Sequence, residues 1–183
     1  MLFFNTAGPV NPEDHYCIPP LERLDMDDIR TLIAQKKYFV LHAPRQTGKT
    51  SCLFALCEML NREGDYHALY VNVEPAQAMR EDVGLGMEIL LAQLARSADR
   101  MLGDQFLSDN FTSLWTAYGS GSCLTSGLEA WCATLAKPLV LFIDEIDSLV
   151  GDLLISVLRQ IRAGYVNRPK SFPQSIVLCG VRD

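Results

Sequence analysis

Tyr38-Phe39-Val40-Leu41-His42, running into Ala43-Pro44-Arg45-Gln46-Thr47-Gly48-Lys49-Thr50, is the stretch that decides the fold. The part up to His42 is short, apolar and rich in β-formers, which predicts a buried strand. Ala43 to Thr50 matches the Walker A pattern G-x-x-x-x-G-K-[ST] at every fixed position except the first, where Ala43 stands. From Ser51 to about Arg62 the apolar spacing becomes helical through Leu53, Phe54, Leu56, Cys57 and Leu60, and Gly64 ends the run. Strand, turn-forming loop and helix in that order are the context such a loop requires.

A loop that wraps phosphate needs successive backbone N–H groups turned inward, and a glycine where a side chain would strike the ligand. Gly48 fills that place. The helix beginning after it offers unbonded amides and the positive end of its dipole. The candidate ligands of a nucleoside triphosphate are therefore Gln46, Thr47, Gly48, Lys49, Thr50 and Ser51. Lys49 is expected to reach the β- and γ-phosphates as a cation and so to assist catalysis. The Thr50 hydroxyl is expected on a magnesium ion, whose octahedral shell takes oxygen. Ala43 leaves the shape of the loop entry open, because alanine disfavours positive φ.

A second constellation lies downstream. Leu139-Val140-Leu141-Phe142-Ile143 reads as a strand ending in Asp144-Glu145, the Walker B arrangement. Carboxylates at that end of a parallel strand face the crevice where open α/β sheets bind ligands. Asp144 is expected to hold magnesium, and Glu145 to orient and polarise an attacking water. A solvated acidic turn is the alternative, since Asp147 adds a third acid nearby.

Around these motifs the chain alternates. Residues 5–20 are rich in proline, glycine and polar residues and read as an extended arm, and 21–37 as an amphipathic helix. Strands are expected at 68–73 and 175–179, with helices at 76–102, 124–135 and 148–163. Residues 103–137 are otherwise hard to read, and Gly119-Ser120-Gly121-Ser122 marks a loop there. Strands alternating with helices imply parallel βαβ units. The expected division is an arm and helix over 1–37 and an α/β domain over 38–183.

A-x-x-x-x-G-K-T followed by an apolar strand ending in D-E resembles the P-loop ATPases that carry a catalytic glutamate, the AAA+ and STAND-like group. The arm from Gly8-Pro9-Val10 to Tyr16-Cys17-Ile18-Pro19-Pro20 resembles the segment before the core in bacterial AAA-like ATP-binding proteins. That resemblance implies a three-layer sandwich with a parallel sheet of order 5-1-4-3-2, ATP and magnesium as ligands, and hydrolysis of the β–γ anhydride. It makes Tyr16 and Ile18 candidates for an adenine pocket, and Arg182 a candidate sensor after the fourth strand; sheet cover and an ordinary surface arginine are the respective alternatives. It also implies a fifth strand and a helical lid. The sequence ends before either, which leads one to expect a fragment of a longer ATPase. Arg159, Arg162 and Arg168 lie where an arginine finger could be sought, with solvation of a helix face as the alternative.

Length and composition narrow the rest. At 183 residues, 49% hydrophobic and 21% charged, the chain suits one soluble domain. A formal net charge of -6 argues against a dedicated nucleic-acid surface, so DNA is expected only through regions outside this sequence. The six cysteines lack metal or redox spacing and read as buried apolar residues of a reduced, cytoplasmic protein. No signal peptide is visible, and no run nears the ~18 apolar residues that cross a bilayer. The functional readings left open are an ATPase, a nucleotide-dependent switch or scaffold with negligible hydrolysis, the ATPase part of a DNA-associated protein, and a small-molecule kinase. A homo-oligomer or a protein partner fits the first three.

Overall fold

The computed structural model describes residues 2–5, 11 and 13–181. Four parallel strands, β1 (Phe39–His42), β2 (His67–Asn72), β3 (Leu139–Asp144) and β4 (Ser175–Gly180), form one sheet in the order β1-β4-β3-β2. This is the expected order for these four strands. The helices are α1 (Met26–Ala34), α2 (Lys49–Glu63), α3 (Val83–Leu102), α4 (Phe106–Cys132) and α5 (Gly151–Ala163).

The three layers follow from the alternation of side chains along each strand. In β3, Leu139, Leu141 and Ile143 join a core cluster with α3, α4 and α5, while Val140 and Phe142 join another with α1 and α2. All six β3 residues are buried, which is why its sequence reads as an unbroken apolar run. Each fully buried Leu or Phe contributes about 1.5–3 kcal/mol. Ile29 and Ile33 of α1 belong to the α2-side cluster, so the helix before β1 packs into the same core.

Four expectations are corrected. The helix expected over 76–102 is split: a 3-10 turn covers Glu74–Met79, Arg80 takes φ 38°, and Asp82 starts α3 by accepting from the Leu85 amide at 3.0 Å. The helix expected from Ser148 starts later. A 3-10 turn covers Ile146–Ser148, and α5 opens at Gly151, whose φ of 63° suits glycine. Cys17 is exposed, whereas the other five cysteines are buried.

The fourth correction concerns Gly119–Ser122: the break expected there as a loop is confined to Gly119, and the chain is helical on both sides of it. Two helical stretches meet at Gly119 (φ 55°, ψ -174°), and Gln160 of α5 holds the junction. Its Oε1 accepts from the amides of Leu124 at 2.9 Å and Thr125 at 3.3 Å. Its Nε2 donates to the Ser120 carbonyl at 2.8 Å. Leu124 N–H and Ser120 C=O would be partners in a continuous helix, so this buried amide stands in for the missing turn. Gln160→Leu leaves those groups unpaired and is expected to lower unfolding free energy by about 2–4 kcal/mol in urea. A change below about 0.5 kcal/mol would refute this account of the junction.

Candidate functional site

The strands are parallel, so β1, β3 and β4 end at one edge of the sheet, and the two motifs meet there. Register places His42 beside Gly180 and Ile143 beside Leu178. A Cβ at Gly180 would meet the Asp147 carboxylate, which would have to turn away to admit it.

Beyond β1 the loop turns through Gln46 (φ 58°) and Gly48 (φ 76°), and the Thr47 Oγ1 donates to the Pro44 carbonyl at 2.8 Å. α2 begins at Lys49, and Cys52 N–H donates to Gly48 C=O at 3.0 Å. The amides of Lys49, Thr50 and Ser51 precede that bond, so helix geometry leaves them without an i−4 acceptor. They are donors at the positive end of the dipole. Lys49 Nζ donates to the carbonyls of Ala43 and Pro44, at 2.9 Å each. Two of its three protons serve these bonds, so one remains for an anion.

Asp144 is the buried acid of the site, 1% exposed. Its Oδ2 accepts from Thr50 Oγ1 at 2.8 Å and from the Tyr70 hydroxyl at 3.0 Å; its Oδ1 accepts from the Glu145 amide at 3.0 Å. The Thr50 bond joins the loop to the end of β3 across 94 positions of sequence. Burial first, and then the Asp144 charge, raise the Tyr70 hydroxyl well above the ordinary tyrosine range, so it remains a donor. The same two causes push the Cys179 thiol up to about 12.

Glu145 is half-buried with φ 59°, a left-handed conformation uncommon for a side-chain-bearing residue. Its carboxyl is raised above the usual glutamate range by burial, then by repulsion from Asp144, Asp147 and Glu74, with Lys49 opposing. Among the described residues no group of three or more His, Cys, Asp and Glu side chains could hold a metal. A hydroxyl and one carboxylate side by side, as Thr50 and Asp144 are, suit magnesium, which shares its shell with phosphate and water.

A cavity of about 200 Å³ opens beside the loop, lined by Arg23, Leu24, Leu41, His42, Thr47 and Lys49 among others. The structure does not bring Tyr16 or Ile18 to it. Both are exposed, at 57% and 67%, and Tyr16 packs against Phe4 with ring centroids 5.1 Å apart. The chain instead meets α2 at Pro20, whose carbonyl accepts from Cys52 Sγ at 3.3 Å. Arg182 and the Gly8-Pro9-Val10 part of the arm lie outside the described residues. Arg168 sits against the Tyr38 and Tyr165 rings and bonds the carbonyls of Lys36 and Tyr165, which fixes it as a brace beside β1.

The fold and its loop make an α/β sandwich of the P-loop NTPase type with an AAA+-like strand order. Twelve solved chains match it. One, from the structure of Drosophila ORC bound to DNA, aligns with a TM-score of 0.50 at 16% identity. The alignment covers 98% of this chain and 47% of that one, so this chain spans about half that length. At that identity the likeness is one of fold. No protein-family model and no curated protein matches the sequence. Among the described residues no helix is long and apolar enough to cross a membrane.

Proposed function

We propose that this chain is the nucleotide-binding part of an AAA+-like ATPase, taking ATP with magnesium at the Ala43–Thr50 loop and hydrolysing it. The observation that carries the reading is the Thr50–Asp144 hydrogen bond, which puts the hydroxyl of the loop and the buried acid of β3 within 2.8 Å of each other. In this reading residues 38–183 form the nucleotide-binding unit, and 1–37 an N-terminal arm and helix.

The amides of Gln46 to Ser51 and the ammonium of Lys49 take the phosphates. Thr50 and Asp144 hold magnesium, which offsets charge on the phosphate oxygens when bound. Glu145 accepts a proton from water as the water oxygen bonds to the γ-phosphorus. The bond from that phosphorus to the β–γ bridging oxygen breaks in line, leaving ADP and inorganic phosphate. Acceptance of the phosphoryl group by water rather than by a small molecule is favoured by Glu145, placed next to the metal-binding acid. Within the AAA+-like group, the arm favours the bacterial AAA-like ATP-binding proteins whose preceding segment it resembles.

Calorimetric titration of the protein with ATP, with and without magnesium, tests the binding claim. Micromolar binding, weakened at least about tenfold by omitting magnesium, is expected from the loss of the ion shared between protein and phosphates. Absence of binding at millimolar ATP would refute the reading. Phosphate release then separates an ATPase from a switch: a rate at the buffer background assigns the switch.

A further inference from the structure

We infer that Arg23, in the 3-10 turn Pro20–Arg23 ahead of the core, is a phosphate-binding residue whose guanidinium closes over the Ala43–Thr50 loop from outside the motif. The inference rests on the proposed nucleotide site and adds a ligand to it. Arg23 Nη1 lies 2.6 Å from the point where a Cβ on Gly48 would stand. That is the face of the loop left bare by the one residue without a side chain. Arg23 also lines the cavity beside Lys49, so two cations converge there.

The turn that carries Arg23 is fixed in place. Leu21 and Leu24, on either side of it in sequence, pack against the α2-side core, and the Pro20 carbonyl is bonded by Cys52 of α2. Arg23 is thus anchored to the helix that begins at the loop. Among the described residues the ion pair formed is Arg30–Glu63, and Arg23 has no carboxylate within that distance. An exposed guanidinium with no acid partner, held against a row of free amides, is suited to a phosphate oxygen. Its planar fork matches that geometry better than an ammonium does.

Binding of ATP, ADP and adenosine to the wild type, Arg23→Ala, Arg23→Lys and Arg30→Ala tests this. Arg30 serves as control, because it lies nearby on α1 but bonds Glu63 rather than the loop. Arg23→Ala is expected to weaken ATP and ADP about tenfold, Arg23→Lys to recover part of that, and adenosine to bind each variant alike. Arg30→Ala is expected to bind as the wild type does. If Arg23→Ala binds ATP as tightly as a wild type that does bind, the role of Arg23 is overturned and the nucleotide site stands. An equal loss in Arg30→Ala, or an equal loss for adenosine, also overturns it. A wild type that binds no nucleotide overturns both.

Discussion

Lys49→Ala is expected to weaken ATP binding about 100-fold or more, the largest binding effect of any single substitution in this chain. The ammonium stands at the start of α2, next to Gly48, among amides that carry only partial charge. Its two bonds to the Ala43 and Pro44 carbonyls hold it along the loop without neutralising it. A phosphate arriving at the free amides therefore meets a placed cation, and little side-chain entropy remains to be lost on binding. The fold itself should be nearly indifferent to the change. Pro44 is exposed, so its carbonyl regains water when Lys49 is removed, and urea unfolding should shift by less than about 1 kcal/mol. Calorimetry and urea unfolding on the same preparation separate the two effects. Unchanged ATP affinity, or a loss explained by unfolding, would remove Lys49 from the site.

How much of this was legible in the sequence depended on whether a residue's partner lay nearby or far along the chain. The loop, α2 and β3 were readable because their signals are local. β1 was readable as a strand, but it lies at the edge of the described sheet, with Val40 59% exposed rather than buried as expected. The Phe39–His42 run, the glycine before the helix and the apolar run ending in two acids each carry their meaning within a few residues. The sheet order rested on resemblance, and the observed β1-β4-β3-β2 agrees with it. What escaped reading is made of long-range pairs. The Tyr70 hydroxyl on Asp144 joins residues 74 apart, and nothing in the local Ala68–Val73 run marks that tyrosine as polar in use. Gln160 falls in the helix expected over 148–163 with nothing local to mark it, yet it is 4% exposed and bonds a residue 36 positions away. Arg23 falls in the first turn of the helix expected over 21–37, whereas it ends a separate 3-10 turn, Pro20–Arg23. Its place over Gly48 depends on how the turn packs on α2, although an arginine just after Pro19-Pro20, at a fixed entry to the core, was a signal that could have been weighed.

α4 illustrates the other limit. A helix buried on several sides loses the contrast between apolar and polar faces on which periodicity depends. Leu107, Leu114, Leu124, Leu128 and Trp131 are buried, while the helix breaks at Gly119 alone and Gly121 lies in the stretch beyond it. A glycine that breaks a helix at one residue looks the same in sequence as one that opens a longer loop.

Glu145→Gln is expected to lower the rate of phosphate release about 100–1000-fold while leaving the affinity for ATP within about twofold. Glutamine keeps the shape and the hydrogen-bonding reach but cannot accept the proton of an attacking water. The loss should therefore fall on turnover alone, which distinguishes it from Lys49→Ala. Acidity supplies a second readout from the same residue. Burial and the charges of Asp144, Asp147 and Glu74 raise the Glu145 carboxyl above its usual range. The base is the ionised form, so the wild-type rate should fall as pH drops through that raised value, at a pH where an ordinary glutamate is still ionised. Asp147→Asn removes one of the repelling charges, lowers the Glu145 value and should move the acid limb of the pH–rate profile toward lower pH. Asp147 also packs against Gly180, so the shift must be read on protein whose urea unfolding is unchanged. An acid limb that stays in place in stable Asp147→Asn would argue that another group limits the rate. A Glu145→Gln protein that turns over as fast as the wild type would assign proton acceptance to some other residue.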